Sequence, residues 1–229
     1  MSEKGGLCLN TSGIFISESK NRFLCSVLVD GVETICYIPS SCRLDNFLDL
    51  QGRKVYLTPN ISPKASTEYA VTAIPYKRSV ILLNSSFANK AVNNCIHNRQ
   101  FAFLGKRSMV KKEYSVDGYK ADFYIPCSKT IIEVKSVISL DTSALFPTVF
   151  SQRSLDQLQQ IKDLLSSGYY AYYFIVSLNP YVKEIILNKN SALYSAIQEC
   201  VDLGMEIYGY SCGIKNNEVC IKTRISIIS

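Results

Sequence analysis

Apolar and polar positions alternate with a period of two along much of the first 75 or so residues. Segments 13–17, 22–29, 32–38, 54–58 and 68–74 each read as short strands. Asp30-Gly31 lies between the second and third, a dipeptide that readily takes the positive φ angles of a tight hairpin turn. Five short strands, with one poorly defined linking segment near 45–50, predict a small closed barrel. The OB-fold is the commonest such barrel that binds oligonucleotides.

Further along the chain the period changes. Phe87, Ala91, Val92, Cys95 and Ile96 recur at helical spacing and predict a helix over about 86–98. Strands are expected over 111–116, 119–125 and 130–137, the first two joined by Asp117-Gly118 as a second hairpin. Leu155, Leu158, Ile161 and Leu165 form the apolar stripe of a helix over about 153–166. The run 169–178 is almost wholly apolar and rich in β-formers, as in a central strand buried on both faces. A helix over about 191–203 has Ser191 as its N-cap and Gly204 as its stop. Strands over 205–212 and 219–224 close the chain. The second part thus runs α-β-β-β-α-β-α-β-β, the order of a mixed sheet flanked by helices. The change of period falls near 75–79, which gives a barrel domain over 1–76 and a second domain over 77–229.

Composition narrows the function. With 47% hydrophobic residues in 229, the chain can bury a substantial core. Its longest apolar run is too short to cross a bilayer, and residues 1–6 lack the basic start and apolar block of a secretory signal. The expectation is a soluble protein, cytoplasmic or otherwise intracellular, with no membrane partner. The nine cysteines are scattered without any CxxC pair, which argues against a disulfide framework or a zinc site and for buried reduced thiols. A net charge of +6 is compatible with a polyanionic partner. There is one histidine, His97, near the polar end of its helix, where an ordinary surface role is expected. Catalysis therefore falls to carboxylates and lysine.

The sharpest local feature is Ile131-Ile-Glu-Val-Lys-Ser136. In a strand, Glu133 and Lys135 project from one face while Ile132 and Val134 point into packing on the other. Asp122 interrupts the preceding apolar strand, and a neighbouring strand would bring it beside Glu133. Two converging carboxylates suit a hard cation, Mg²⁺ or Mn²⁺, and a nearby ammonium can hold water or stabilise charge on a phosphate. That chemistry serves phosphodiester hydrolysis. The same tripeptide also suits an exposed charge pair on an edge strand, which would contribute little.

The pattern of Asp122 followed by Glu133-Val-Lys135, inside this order of helices and strands, resembles the signature of the PD-(D/E)XK nuclease superfamily. The chain as a whole resembles the sugar fermentation stimulation protein A (SfsA) family. Asn21-Arg-Phe-Leu24 is similar to that family's NRFL signature, and Pro39-Ser-Ser-Cys-Arg43 to a drifted version of its CPNTGR segment. Glu113 matches an acidic position, while Glu133-Val-Lys-Ser-Val137 and Ala144-Leu-Phe-Pro147 match closely. Arg153 and Leu158 match the start of the following helix. The resemblance implies an N-terminal OB-fold, a C-terminal PD-(D/E)XK domain, DNA binding and metal-dependent nuclease activity, within a family associated with sugar-utilisation genes. Three departures stand out. Ser40, Ser41 and Cys42 replace the middle of CPNTGR, Gln157 replaces a histidine, and Asn93 and Asn94 replace an acidic pair.

On these grounds Asp122 and Glu133 are expected to hold the metal, Lys135 to act on the water, and Glu113 either to complete the shell or to pair with a nearby lysine. Arg153, Gln157 and Gln160 share a helical face that suits either a phosphate or solvent. Asn21, Arg22 and Arg43 are candidate nucleic-acid contacts on the barrel. Lys106, Arg107, Lys111 and Lys112 form the densest basic run, suited to a phosphate backbone or to solvent. The tyrosines over 169–173 are expected to pack in the core. An enzyme acting on DNA or RNA is the first reading. The alternative is a non-catalytic DNA-binding protein, of the sugar-metabolism regulator type, with an idle nuclease core. A barrel that binds protein instead is the third.

Overall fold

The computed structural model describes residues 7, 9–39, 44, 48–61 and 65–229. The alternating segments form β1 (Thr11–Glu18), β2 (Leu24–Val29), β3 (Val32–Tyr37), β4 (Lys54–Pro59), β5 (Tyr69–Tyr76) and β6 (Ser79–Leu82). Their sheet order is β3-β2-β1-β4-β5-β6, and a parallel pairing of Tyr37 with Ala70 joins β3 to β5. That pairing closes a five-stranded barrel of OB type, with β6 as an added sixth strand. Asp30 and Gly31 take φ of 48° and 81°, as a two-residue hairpin requires. β6 was not expected from the sequence. It pairs with β5 through the turn at Lys77 and Arg78, so the barrel sheet runs on to Leu82.

The second part consists of α1 (Ser86–Cys95), β7 (Lys111–Val116), β8 (Tyr119–Ile125), β9 (Thr130–Val137), β10 (Ser143–Phe146), α2 (Gln152–Ser166), β11 (Tyr170–Ser177), β12 (Glu184–Leu187), α3 (Ala192–Asp202), β13 (Glu206–Lys215) and β14 (Glu218–Ile228). Its strands form one mixed sheet in the order β10-β12-β14-β13-β11-β9-β8-β7. β10 and β12 are four-residue strands that the sequence pattern left unread; they pair in parallel and extend the sheet beyond β14. Ser151 and Ser191 cap α2 and α3, each accepting a backbone N–H with its side chain.

Two cores hold the layers together. Phe123, Ile132, Val134 and Phe174 face α1 and the barrel, in one apolar cluster with Val27, Val55, Leu57 and Val92. Ile131, Val137, Tyr173 and Ile175 face the other way, against Leu158, Ile161 and Ile197 of α2 and α3. The barrel is therefore continuous with the interior of the second sheet. Its β6 also donates a hydrogen bond from Leu82 N to Leu178 O at 3.0 Å, beyond the end of β11. The Tyr76 hydroxyl donates to Leu140 O at 2.5 Å.

Some exposures differ from expectation. Tyr173 is fully buried, but Tyr170, the first residue of β11, keeps 65% of its surface. Cys127 is exposed, on the turn between β8 and β9, whereas Cys25, Cys36, Cys95, Cys200 and Cys212 are buried free thiols. His97 is exposed. No helix among the described residues is long and apolar enough to cross a membrane.

The contact of β1 with β2 leaves no room at Gly13, where a Cβ would sit 2.6 Å from the backbone oxygen of Leu28. Gly13→Ala must push the two barrel strands apart. It should lower unfolding free energy by roughly 1–3 kcal/mol in a urea titration; a wild-type midpoint would contradict this packing.

Candidate active site

Asp122 lies in the middle of β8, where the strand leaves its neighbour. The β8–β9 ladder runs through Ile125–Thr130, Tyr124–Ile131 and Phe123–Ile132, and no further. At the next position the Val134 N–H donates to Asp122 Oδ2 at 2.8 Å, so a side chain takes the place of a backbone partner. Packing changes at the same point. Tyr119 and Ala121 belong to the core under α2 and α3, whereas Phe123 and Ile125 belong to the core shared with the barrel. Asn89 of α1 donates from Nδ2 to Asp122 Oδ1 at 2.7 Å. Both oxygens of Asp122 thus accept a protein hydrogen bond.

Glu133 is on β9, an interior strand between β8 and β11, and only 3% exposed. This rules out the exposed edge-strand pair. The Tyr119 hydroxyl donates to Glu133 Oε2. Lys135 donates from Nζ to Glu133 Oε1 at 2.7 Å and to Gln157 Oε1 of α2 at 2.6 Å. The i and i+2 spacing places carboxylate and ammonium on one face of β9, as the tripeptide predicts, and α2 supplies the neutral acceptor.

Asp122, Glu133, Lys135 and Gln157 line one groove of about 770 Å³, together with Asn89, Arg153 and, from the barrel, Arg22. Burial, and then the charge of Glu133, push the Asp122 carboxyl up to about 6, against the lowering effects of the Val134 N–H, Asn89 and Lys135. Burial beside Glu133 also drives the Tyr119 phenol well above its ordinary range, so it stays a hydrogen-bond donor. Two acidic side chains lining one groove, with all-oxygen chemistry, suit a hard divalent cation.

The other expected residues are distributed around this centre. Glu113 stands on β7 with φ of 45° and pairs with Lys120 at 2.7 Å, largely in solvent. The hydrogen bond and charge of Lys120 hold its carboxyl below the usual range. It lines a smaller groove, of about 440 Å³, with Asp122, Asp156 and Gln160. Arg153 and Gln157 line both grooves. Lys111 and Lys112 are exposed on β7 and line neither; the Lys111 ammonium sits 4.0 Å from the Tyr114 ring centroid. Asn21 shapes the turn into β2, its Oδ1 accepting from Phe23 N at 3.1 Å. Arg43 lies outside the described residues. Asn94 donates to Val219 O at 2.9 Å, and neither it nor Asn93 lines a groove.

Sequence reasoning passed over Asn89 and Tyr119. Asn89 is one turn before Asn93 on the same helical face, which is a weak signal. Tyr119 shows no sign in the sequence of its contact with Glu133, 14 residues on.

Comparison with known proteins now decides the lineage. Residues 18–83 match the SfsA N-terminal OB domain, and residues 86–218 match the sugar fermentation stimulation protein RE domain. The chain belongs to the SfsA family. Among SfsA relatives, the sugar fermentation stimulation protein homolog of Ruminiclostridium cellulolyticum is 27% identical over 220 residues, covering 94% of this chain and 96% of that one. The homolog from Methanobrevibacter smithii is 28% identical over 215 residues, covering 87% and 89%. The solved structure of Pyrococcus furiosus SfsA in complex with Ca²⁺ aligns with a TM-score of 0.83 at 20% identity, over 98% of this chain and 100% of that one. The SfsA fold is thereby shared over nearly the whole chain.

The Asp122 carboxyl carries a consequence for pH. Between its ordinary value of 3.8 and about 6, the folded chain holds a proton that the unfolded chain has released. Its contribution to stability therefore falls as pH rises through that window. A cation binding the same oxygens must displace that proton. If a divalent ion sits on Asp122, Mg²⁺ should raise the melting temperature in thermal-shift measurements more at about pH 7.5 than at about pH 5, relative to EDTA. Equal shifts at both pH values, or a full shift in Asp122→Ala, would contradict the assignment.

Proposed function

We propose that this SfsA-family chain is a metal-dependent nuclease that hydrolyses phosphodiester bonds in DNA or RNA, with Mg²⁺ or Mn²⁺ as cofactor. The observation that carries the reading is a buried Glu133 beside a raised Asp122, with Lys135 Nζ 2.7 Å from Glu133 Oε1. Burying two like charges side by side is unfavourable for folding. A cation between them removes the penalty. The solved relative from Pyrococcus furiosus is described in complex with Ca²⁺, another hard ion that prefers oxygen ligands.

A divalent ion held by Asp122 and Glu133 would supply positive charge against the phosphoryl oxygens and increase the acidity of a water. The chain's own groups do the rest. Asn89 and the Val134 N–H fix the plane of the Asp122 carboxylate. Tyr119 holds Oε2 of Glu133, and Lys135 holds Oε1. The ammonium has three N–H donors, and its bonds to Glu133 and Gln157 use two. The third can orient the attacking water or meet the charge that develops on phosphate. Arg153 of α2 and Arg22 of the barrel both line the groove and can bind phosphates flanking the scissile bond. Glu113 would enter the shell only by leaving Lys120. On the barrel side, Asn21, Arg22 and Arg43 are the proposed nucleic-acid contacts, with Lys111 and Lys112 along the edge of β7.

One observation favours the second reading, a nucleic-acid-binding protein with an idle core. Among the described residues, no group of three or more histidine, cysteine, aspartate or glutamate side chains is arranged to hold a metal ion. Activity separates the two readings. Glu133→Gln and Lys135→Ala should each lower cleavage by on the order of a hundredfold or more, while binding persists, and EDTA should have the same effect on the wild type. Equal trace activity in wild type and both variants would leave only the binding reading.

Binding itself should weaken steeply with salt, because phosphate contacts release counterions. Arg22→Ala, or alanine at both Lys111 and Lys112, should weaken it alike across sequences and flatten the salt slope. Salt-insensitive binding would point to a protein partner instead.

A further inference from the structure

The lining of the groove is of two kinds. One is polar and carries Asp122, Glu133, Lys135 and Gln157, with Arg22 reaching in from the barrel. The other is the connection from β10 to α2, where Phe146, Pro147, Val149 and Phe150 face the same space. Phe146 is anchored in the core at 6% exposure, but Phe150 keeps 69% of its surface open to solvent. The described residues include no phenylalanine more exposed than this one, and it stands three positions before Arg153.

A phosphate has no use for an aromatic face; a nucleobase does. In a duplex the flat faces of the bases are hidden in the stack, and only edges, sugars and phosphates are presented. A single strand exposes those faces, and they stack on aromatic side chains whatever the sequence. The groove's volume of about 770 Å³ is in the range that small ligands fill. It suits a nucleotide unit, with phosphate against the charged groups and base against Phe150.

A second observation extends the path. The Arg22 guanidinium lies 4.6 Å from the ring centroid of Phe23, and Phe23 stacks on Tyr37 with centroids 6.3 Å apart and planes 24° from parallel. Phe23 and Tyr37 are each 37% exposed. A cation followed by two stacked, accessible rings leads from the groove onto the barrel, the combination of parts that holds single strands on OB-folds.

We propose that the substrate is single-stranded nucleic acid. The base beside the scissile phosphate stacks on Phe150, and the continuing strand passes Arg22 onto the Phe23–Tyr37 pair. This assignment rests on the nuclease reading and names its substrate class.

The test uses the full chain carrying Glu133→Gln, so that bound strands stay intact. A single-stranded DNA oligonucleotide with a fluorescent adenine analogue is titrated with the protein, with Mg²⁺ and with EDTA, beside the same oligonucleotide annealed to its complement. Single-strand binding should be at least about tenfold tighter than duplex binding, with quenching of the analogue as it stacks. Adding Phe150→Ala should weaken single-strand binding by about tenfold and remove much of the quenching, with duplex affinity unchanged. Phe150→Tyr should restore both, and Phe23→Ala should weaken binding without relieving the quench in the groove. Duplex bound as tightly as single strand, or an unchanged affinity in Phe150→Ala, overturns the inference. The wild type with Mg²⁺ keeps the two proposals apart. Equal cleavage of duplex and single strand would sustain the nuclease reading and overturn this one. Strand binding that depends on Phe150 without any Mg²⁺-dependent cleavage would sustain the stacking assignment and remove the catalysis.

Discussion

The site depends on one hydrogen bond, from the Val134 N–H to Asp122 Oδ2. An interior strand ordinarily gives its N–H groups to the backbone of a neighbour. Here β8 pairs with β9 only from Phe123 onward, and the carboxylate of Asp122 satisfies the donor left behind. Three things follow from that exchange. The sheet opens a groove where a ladder would otherwise be closed, Asp122 is delivered to the face of Glu133, and the opening leaves no backbone donor stranded at Val134. The interrupted pairing, the groove and the carboxylate pair are one structural event.

That event has an energetic cost, which the surrounding side chains share out. Glu133 is almost sealed from water, and burial, then the charge of Glu133, raises the Asp122 carboxyl. Tyr119, Asn89 and Lys135 each donate to one of the two carboxylates. Without a cation, the cheapest way to relieve the remaining strain is to keep a proton. Residues arranged for stability alone would not place two acids there, and sites of function are where such conflicts are tolerated.

Much of this was legible in the chain. Asp-Gly at 30–31 and again at 117–118 announced both hairpins, since few other pairs accept two positive φ angles. Period-two runs gave the barrel strands and the strands that carry Asp122 and Glu133, and the spacing of Glu133 and Lys135 gave their common face. What escaped were contacts made across distance in sequence. Asn89 reaches Asp122 from a helix 33 residues earlier, and the Tyr119 hydroxyl finds Glu133 across a strand gap that no local pattern marks. β10 and β12 escaped for another reason, because four residues hold too few alternations to stand out. Tyr170 stays exposed because a run of β-formers shows where a strand is, and not where along it the packing begins.

The apolar cluster that runs from Val27 and Leu57 of the barrel through α1 to Phe174 of the second sheet joins what the sequence presents as two units. Proteins assembled from beads on a string can trade their parts, because each bead carries its own interior. Here the two halves share one apolar cluster, beside a second that belongs to the sheet, α2 and α3 alone. Either half cut away would expose a large apolar face. Evolution could therefore vary the loops and rims of this chain freely, but would have to inherit the barrel and the sheet as a pair.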